Sequence, residues 1–156
     1  MIYFVEDSDS RFFSPEAGTM TAADLDGILD AVAKTHAKTY IVEVNSRQAT
    51  YPSAVFDHFL DGFDMELGMN QPALQNDPKP WAYRRRANLQ VMFRQGIDPS
   101  AYLLEGARKR GLTPWIGFRM NDIHAGHNPG SNIHGKLWKQ HPEWRISELS
   151  CENGFD

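Results

Sequence analysis

The chain is short of sulfur, of basic excess and of long apolar runs, and each shortage removes a class of protein. Cys151 is the only cysteine among 156 residues, so no internal disulfide staples the fold and no cysteine pair is spaced for zinc. Sixteen Lys and Arg against 20 Asp and Glu give a formal charge of −4, the wrong balance for a surface that follows a phosphate backbone. No nucleic-acid partner is therefore expected, and the basic run Arg84-Arg85-Arg86 reads as a solvated helix face or loop. No window approaches the roughly 20 apolar residues that span a bilayer, so no membrane partner is expected either. "IYFV" after Met1 runs at once into Glu6 and Asp7, without the basic and apolar regions of an export signal. The cytoplasm is the expected compartment for the chain as given, and a leader removed beforehand would make it secreted or periplasmic. What remains is a globular composition: 41% of residues are hydrophobic, enough for one core in a single α/β domain over residues 1–156.

The order of elements follows from periodicity. "IYFVED" (2–7) and "TYIVEVN" (39–45) are short β-branched and aromatic runs that close on polar residues, as buried strands do. Between them, Leu25, Ile28, Leu29, Val32 and Ala33 recur at helical spacing, and Thr21 with Asp24 forms a capping box. The stretch 46–97 is too long for a plain loop. Val55, Phe56, Phe59, Leu60 and Phe63 predict one helix there, and "AYRRRANLQVMFRQG" (82–96) predicts another. Asp98-Pro99 opens a further helix with Leu103, Leu104 and Ala107 on its apolar face and Gly111 as its stop. "LTPWIGFRMN" (112–121) is the third strand, and a short helix is expected near 133–141. Strands separated by crossovers of this length pair in parallel, so the fold class is α/β built from parallel βα units. A closed (β/α)8 barrel needs about 250 residues, so barrel material here amounts to the first three strands of a partial TIM barrel.

Side-chain alternation sorts each strand into two faces. Ile116, Phe118 and Met120 share one side of the third strand; Gly117, Arg119 and Asn121 share the other. In the second strand Val42 and Val44 oppose Glu43, Asn45 and Arg47. Both strands thus present an oily face for helices and a face that grows polar toward the C-terminal end, where parallel sheets bind ligands. An unpaired buried charge is penalised by several kcal/mol, so Arg119 should meet a carboxylate, Glu43 first and Glu6 second. Asn121, Asp122 and His124 lie just past the third strand. Asp122-x-His124-x-x-His127, with His134 nearby, has metal-ligand chemistry, but in a loop such histidines are more often plain polar groups, and neither a metal nor another cofactor is expected. Trp81, Tyr83, Trp115, Trp138 and Trp144 are expected mostly in packing, with one or two free to line a cleft.

"GIDPSAYLLEGARKRGLTPWIGFR" and "GFRMNDIHAGHNPGSNIHGKLWKQHPEWRI" resemble the N-terminal part of bacterial glycoside-hydrolase-like TIM-barrel proteins, the kind labelled family 10 glycosylhydrolase-like or uncharacterised. The Arg-Met-Asn-Asp-x-His run and the closing His-Pro-Glu-Trp-Arg run carry the resemblance, over about a third of the chain. It implies a pocket for a carbohydrate ligand at the strand C-termini, with Arg119, Asn121, Asp122 and His124 among its residues. Asp122 and Glu43 are the expected catalytic carboxyls; Asn45, Arg47, Arg119, Asn121 and His124 are the expected substrate-binding residues. In such proteins the chain continues into a further strand ending in acidic residues, so the alternatives are a non-catalytic carbohydrate-binding or structural fragment, and a metal-dependent hydrolase using Asp122, His124 and His127. Open sheet edges would also allow a homo-oligomer.

Overall fold

The structure is a computed structural model describing residues 1–144, apart from 8, 77, 120–123 and 127. Strands β1 (Tyr3–Glu6), β2 (Thr39–Glu43) and β5 (Thr113–Gly117) form an all-parallel sheet in the order β1-β2-β5. The register runs Tyr3 to Thr39 to Thr113 at one end and reaches Glu43 opposite Gly117 at the other. A small antiparallel hairpin, β3 (Asn45–Ser46) and β4 (Gln48–Ala49), follows β2 directly.

Helices α1 (Ala22–Ala33), α2 (Pro80–Arg94) and α3 (Pro99–Lys109) supply the crossovers. The carboxylate of Asp24 accepts from the Thr21 backbone N–H at 2.7 Å, and Asp98 caps α3 by accepting from Ser100 and Ala101 at 2.9 and 3.2 Å. Both caps satisfy N–H groups that the first helical turn leaves orphaned. Gly106 lets α1 and α3 approach closely, since a Cβ there would lie 2.4 Å from Leu29 Cδ1.

One sheet face carries the core. Tyr40 and Val42 pack with Leu25, Leu29, Leu103 and Ala107, all fully buried, and Phe4 stacks on Tyr40 with ring centroids 5.5 Å apart. On the other face Tyr3 and Trp115 meet at 5.8 Å across β2, and both are about half exposed, as is Val5. The oily side of β2 is thus covered by helices, as its alternation predicts. On the outer strand β5 and just past its end, Ile116 and Phe118 belong to that side yet stay exposed.

Three expectations need correction. Residues around Val55 to Phe63 form turns rather than a helix. Ser53 Oγ accepts from the N–H groups of Val55 and Phe56, and Asp61 accepts from His58 N–H, so local side chains take the bonds a helix would need. Arg85 and Arg86 are not solvated but buried: Arg86 Nε donates to the Phe59 carbonyl at 3.1 Å, and Arg85 pairs with Asp9. Finally, Trp81, Trp115 and Trp144 are exposed rather than packed inside; the core rings are Phe12, Tyr40, Phe59 and Phe63.

Candidate functional site

The C-terminal rim of the sheet is organised around Arg119. Its Nη2 donates to Glu43 Oε2 at 2.6 Å and to Asp7 Oδ1 at 2.5 Å. Glu43 is the partner that strand alternation predicts. Glu6 is not, because it lies on the helix-covered face with Phe4 and is buried there, accepting from Tyr40 Oη and pairing with Arg11 Nη1 at 3.2 Å. The next residue, Asp7, turns to the opposite side and takes the place expected for Glu6. Gly117 makes room for this contact, since a Cβ there would sit 3.1 Å from Glu43 Cγ and 3.0 Å from Ile41 Cγ2.

Asn45 extends the sheet with its side chain. Beyond the Val44 N–H to Gly117 carbonyl bond at 3.2 Å, Asn45 Oδ1 accepts from Arg119 N–H at 2.9 Å and Asn45 Nδ2 donates to Arg119 O at 3.0 Å. The amide thereby fixes where Arg119 leaves the sheet.

A cleft of about 620 Å3 opens beside this rim. Asp7, Arg119 and His124 line it, together with Asp9, Arg85 and Trp81. Asp7, Asp9 and Arg85 were missed by sequence reasoning, and Trp81 was named only among the aromatics of which one or two were free to line a cleft. The rule that polar residues just past a parallel strand mark a site would have reached Asp7 and Asp9, which directly follow β1. Nothing local in α2 announces that Arg85 and Trp81 face the same space.

The loop carrying Asp9 is tied to α2 by Asn88, which is fully buried. Asn88 Nδ2 donates to Phe12 O at 2.9 Å and Pro15 O at 3.0 Å, while its Oδ1 accepts from Gly18 N–H at 2.9 Å. Arg85 stands among three rings, its guanidinium carbon 4.6 Å from the Trp81 centroid, 4.9 Å from Phe13 and 5.3 Å from Phe59. Burial raises the Asp9 carboxyl above the usual carboxylate range; the Arg85 charge opposes this and the Asp7 charge adds to it. Desolvation is the largest of these effects, with the Asp9 side chain only 14% exposed.

Arg47 does not join this cleft. The hairpin reverses at Arg47 with φ of 67°, so strand alternation ends before it, and its side chain turns to His134 and Trp138. Those groups border a second cleft of about 550 Å3, lined by Arg47, Asp57, His58, Lys136 and Trp138 among others. Burial lowers the His58 pKa, against the pull of Asp61 and Asp98.

Of the expected site residues, Arg119 and His124 line the first cleft, Glu43 and Asn45 hold Arg119 from behind, and Arg47 stands apart. Asn121, Asp122 and His127 lie outside the described residues. Among the described residues no three His, Cys, Asp or Glu side chains cluster to hold a metal ion, and no helix is long and apolar enough to cross a membrane. No protein-family model matches the chain, and a search of curated proteins finds no match.

Proposed function

We propose that the protein is a carbohydrate-directed hydrolase of glycoside-hydrolase type, built on the opening βα units of a (β/α)8 barrel, with its sugar site in the cleft beside Arg119. The observation that carries this reading is the pairing, in one cleft at the C-terminal rim, of the part-exposed Trp81 ring with the Asp7–Arg119 and Asp9–Arg85 pairs. A flat ring packs against the apolar face of a pyranose, and paired carboxylates and guanidinia offer acceptors and donors for hydroxyls.

The strand order agrees with a barrel, in which successive parallel strands are neighbours. The half-exposed face bearing Tyr3, Val5 and Trp115 suits closure by further strands, and the outer edges of β1 and β5 suit association with a second copy. Glycoside hydrolysis takes two carboxyl groups roughly 5 to 10 Å apart. Asp9, held above the usual carboxylate range by burial, is the proton donor in this reading, with Asp7 or Asp122 as the second carboxyl and Glu43 orienting Arg119. The rival reading, sugar binding without turnover, draws on one observation: Asp7, Asp9 and Glu43 are each held by a guanidinium.

A panel of aryl glycosides and neutral oligosaccharides tests both. Hydrolysis that drops at least about 100-fold in Asp9→Asn is expected for the enzyme. Oligosaccharide binding that weakens about tenfold in Trp81→Ala, without turnover, would support the rival. Neither turnover nor binding in the wild-type protein would remove both.

A further inference from the structure

The two clefts lie at the same end of the sheet. The first takes residues from the loops that follow β1 and β5, the second from the loops that follow β2 and β5, and parallel strands deliver such loops to one end. His134, which is 2% exposed, stands where the clefts meet. Its Nε2 lies 2.8 Å from the Ala125 carbonyl and 3.0 Å from that of Asn128, both residues of the first cleft. Its flat face lies on Trp138 of α4 (Lys136–Gln140), with centroids 3.5 Å apart and planes 8° from parallel, and Trp138 lines the second cleft. At that point only an imidazole stands between a residue of one cleft and a residue of the other.

The second cleft repeats the chemistry of the first. The half-buried Trp138 ring supplies a flat apolar surface, with Val55 and Leu137 exposed on the same lining. Its base is fastened from both sides: Asp57, in the loop after β2, accepts from the Lys136 N–H and pairs with Lys136 Nζ at 3.2 Å. Gly135 admits this contact, since a Cβ there would sit 2.8 Å from Asp57 Oδ2. Ser53 Oγ accepts from the Val55 and Phe56 N–H groups at 3.2 and 3.0 Å, which leaves its own hydrogen to donate. Asp61 is exposed and keeps a second oxygen beyond the one that accepts from His58 N–H. A fixed ring with hydroxyl and carboxylate groups around it suits the apolar face and the hydroxyls of a sugar.

We propose that the second cleft is a further saccharide subsite, and that the ligand is an oligosaccharide long enough to lie across both clefts, with one sugar on Trp81 and another on Trp138. At about 620 and 550 Å3 each cleft has the volume of a small-ligand site, so a monosaccharide or a simple aryl glycoside occupies the first alone. The stack on His134 holds the Trp138 ring in place before the ligand arrives, which lowers the ordering cost of binding. The second subsite rests on the sugar-site reading and adds to it the length of the ligand.

Titration calorimetry of the whole chain against ladders of α- and β-linked oligosaccharides, from monosaccharide to hexasaccharide, tests this. In the wild-type protein the affinity should rise by about tenfold or more once the ligand is long enough to reach Trp138. Trp138→Ala should lose that gain and leave the affinity for the shortest ligand that binds unchanged, whereas Trp81→Ala should weaken short and long ligands alike. Because Trp138 also packs on His134, a second variant guards against a folding defect: Ala54→Trp adds bulk at an exposed residue of the second cleft and removes no polar contact. It should abolish the gain with length in the same way. An affinity that does not grow with chain length, or one that grows equally in Ala54→Trp, overturns the second subsite and leaves the sugar-site reading standing. Failure of every saccharide to bind removes both.

Discussion

Asn45 and Arg119, 74 residues apart, exchange two hydrogen bonds in which a side-chain amide takes the place of a strand backbone. Asn45 is 2% exposed, so water cannot replace it at that point. The guanidinium that organises the rim thus depends on a residue that never touches the cleft.

Asn45→Ala should destabilise the protein by about 1–3 kcal/mol, because it strands a part-buried N–H and C=O together. Urea unfolding measures this. Asn45→Asp should be worse than a neutral exchange, since a carboxylate accepts from the Arg119 N–H but cannot donate to its carbonyl.

Two glutamates that look alike in sequence should behave differently. Glu6 pairs with the buried Arg11 side chain, whose exposure is 0%, so Glu6→Ala should cost about 3–5 kcal/mol by taking a carboxylate away from a buried charge. Glu43→Gln should cost only about 1 kcal/mol, because Asp7 remains on Arg119, which is 23% exposed. Comparing the two urea midpoints decides the point; equal losses would contradict the geometry.

Acid should weaken the fold in a defined window. His134 binds a proton less readily in the folded chain, where its pKa is about 4, than at its ordinary value of 6.5. Its contribution to stability is therefore complete above about pH 6.5 and is lost as the pH falls toward 4, by up to about 3 kcal/mol. The lowered pKa of His58 acts with the same sign. Unfolding midpoints collected from pH 7 downward should show a smaller loss in His134→Gln, which lacks the titrating group.

Gly106→Ala tests the contact between α1 and α3. The added methyl would lie 2.4 Å from Leu29 Cδ1, and Leu29 is fully buried. Overpacking of this kind costs about 1–3 kcal/mol, more than the gain of helix propensity from removing a glycine returns. A neutral or stabilising result would mean that the two helices separate freely.

Much of the frame was legible because it depends on neighbours in the chain. The capping box at Thr21 and Asp24, the Asp98-Pro99 start of α3 and the β-branched runs of the strands are local patterns, and each produced the expected element. Alternation even paired Glu43 with Arg119 across 76 residues, since two parallel strands in register fix which faces meet. The same reasoning faltered at Val55 to Phe63, where helical spacing was present but Ser53 and Asp61 captured the backbone N–H groups. It stopped at Arg47, where the turn broke the alternation on which the expectation depended.

By itself, then, the sequence determined the parallel βα order and the polar rim, because strand period, helix period and caps act over a few residues. Only the tertiary structure decided which charges meet there. Asp9 and Arg85 come together across 76 residues and Arg47 and His134 across 87, and no local pattern specifies contacts that depend on how a loop and a helix settle against a finished sheet.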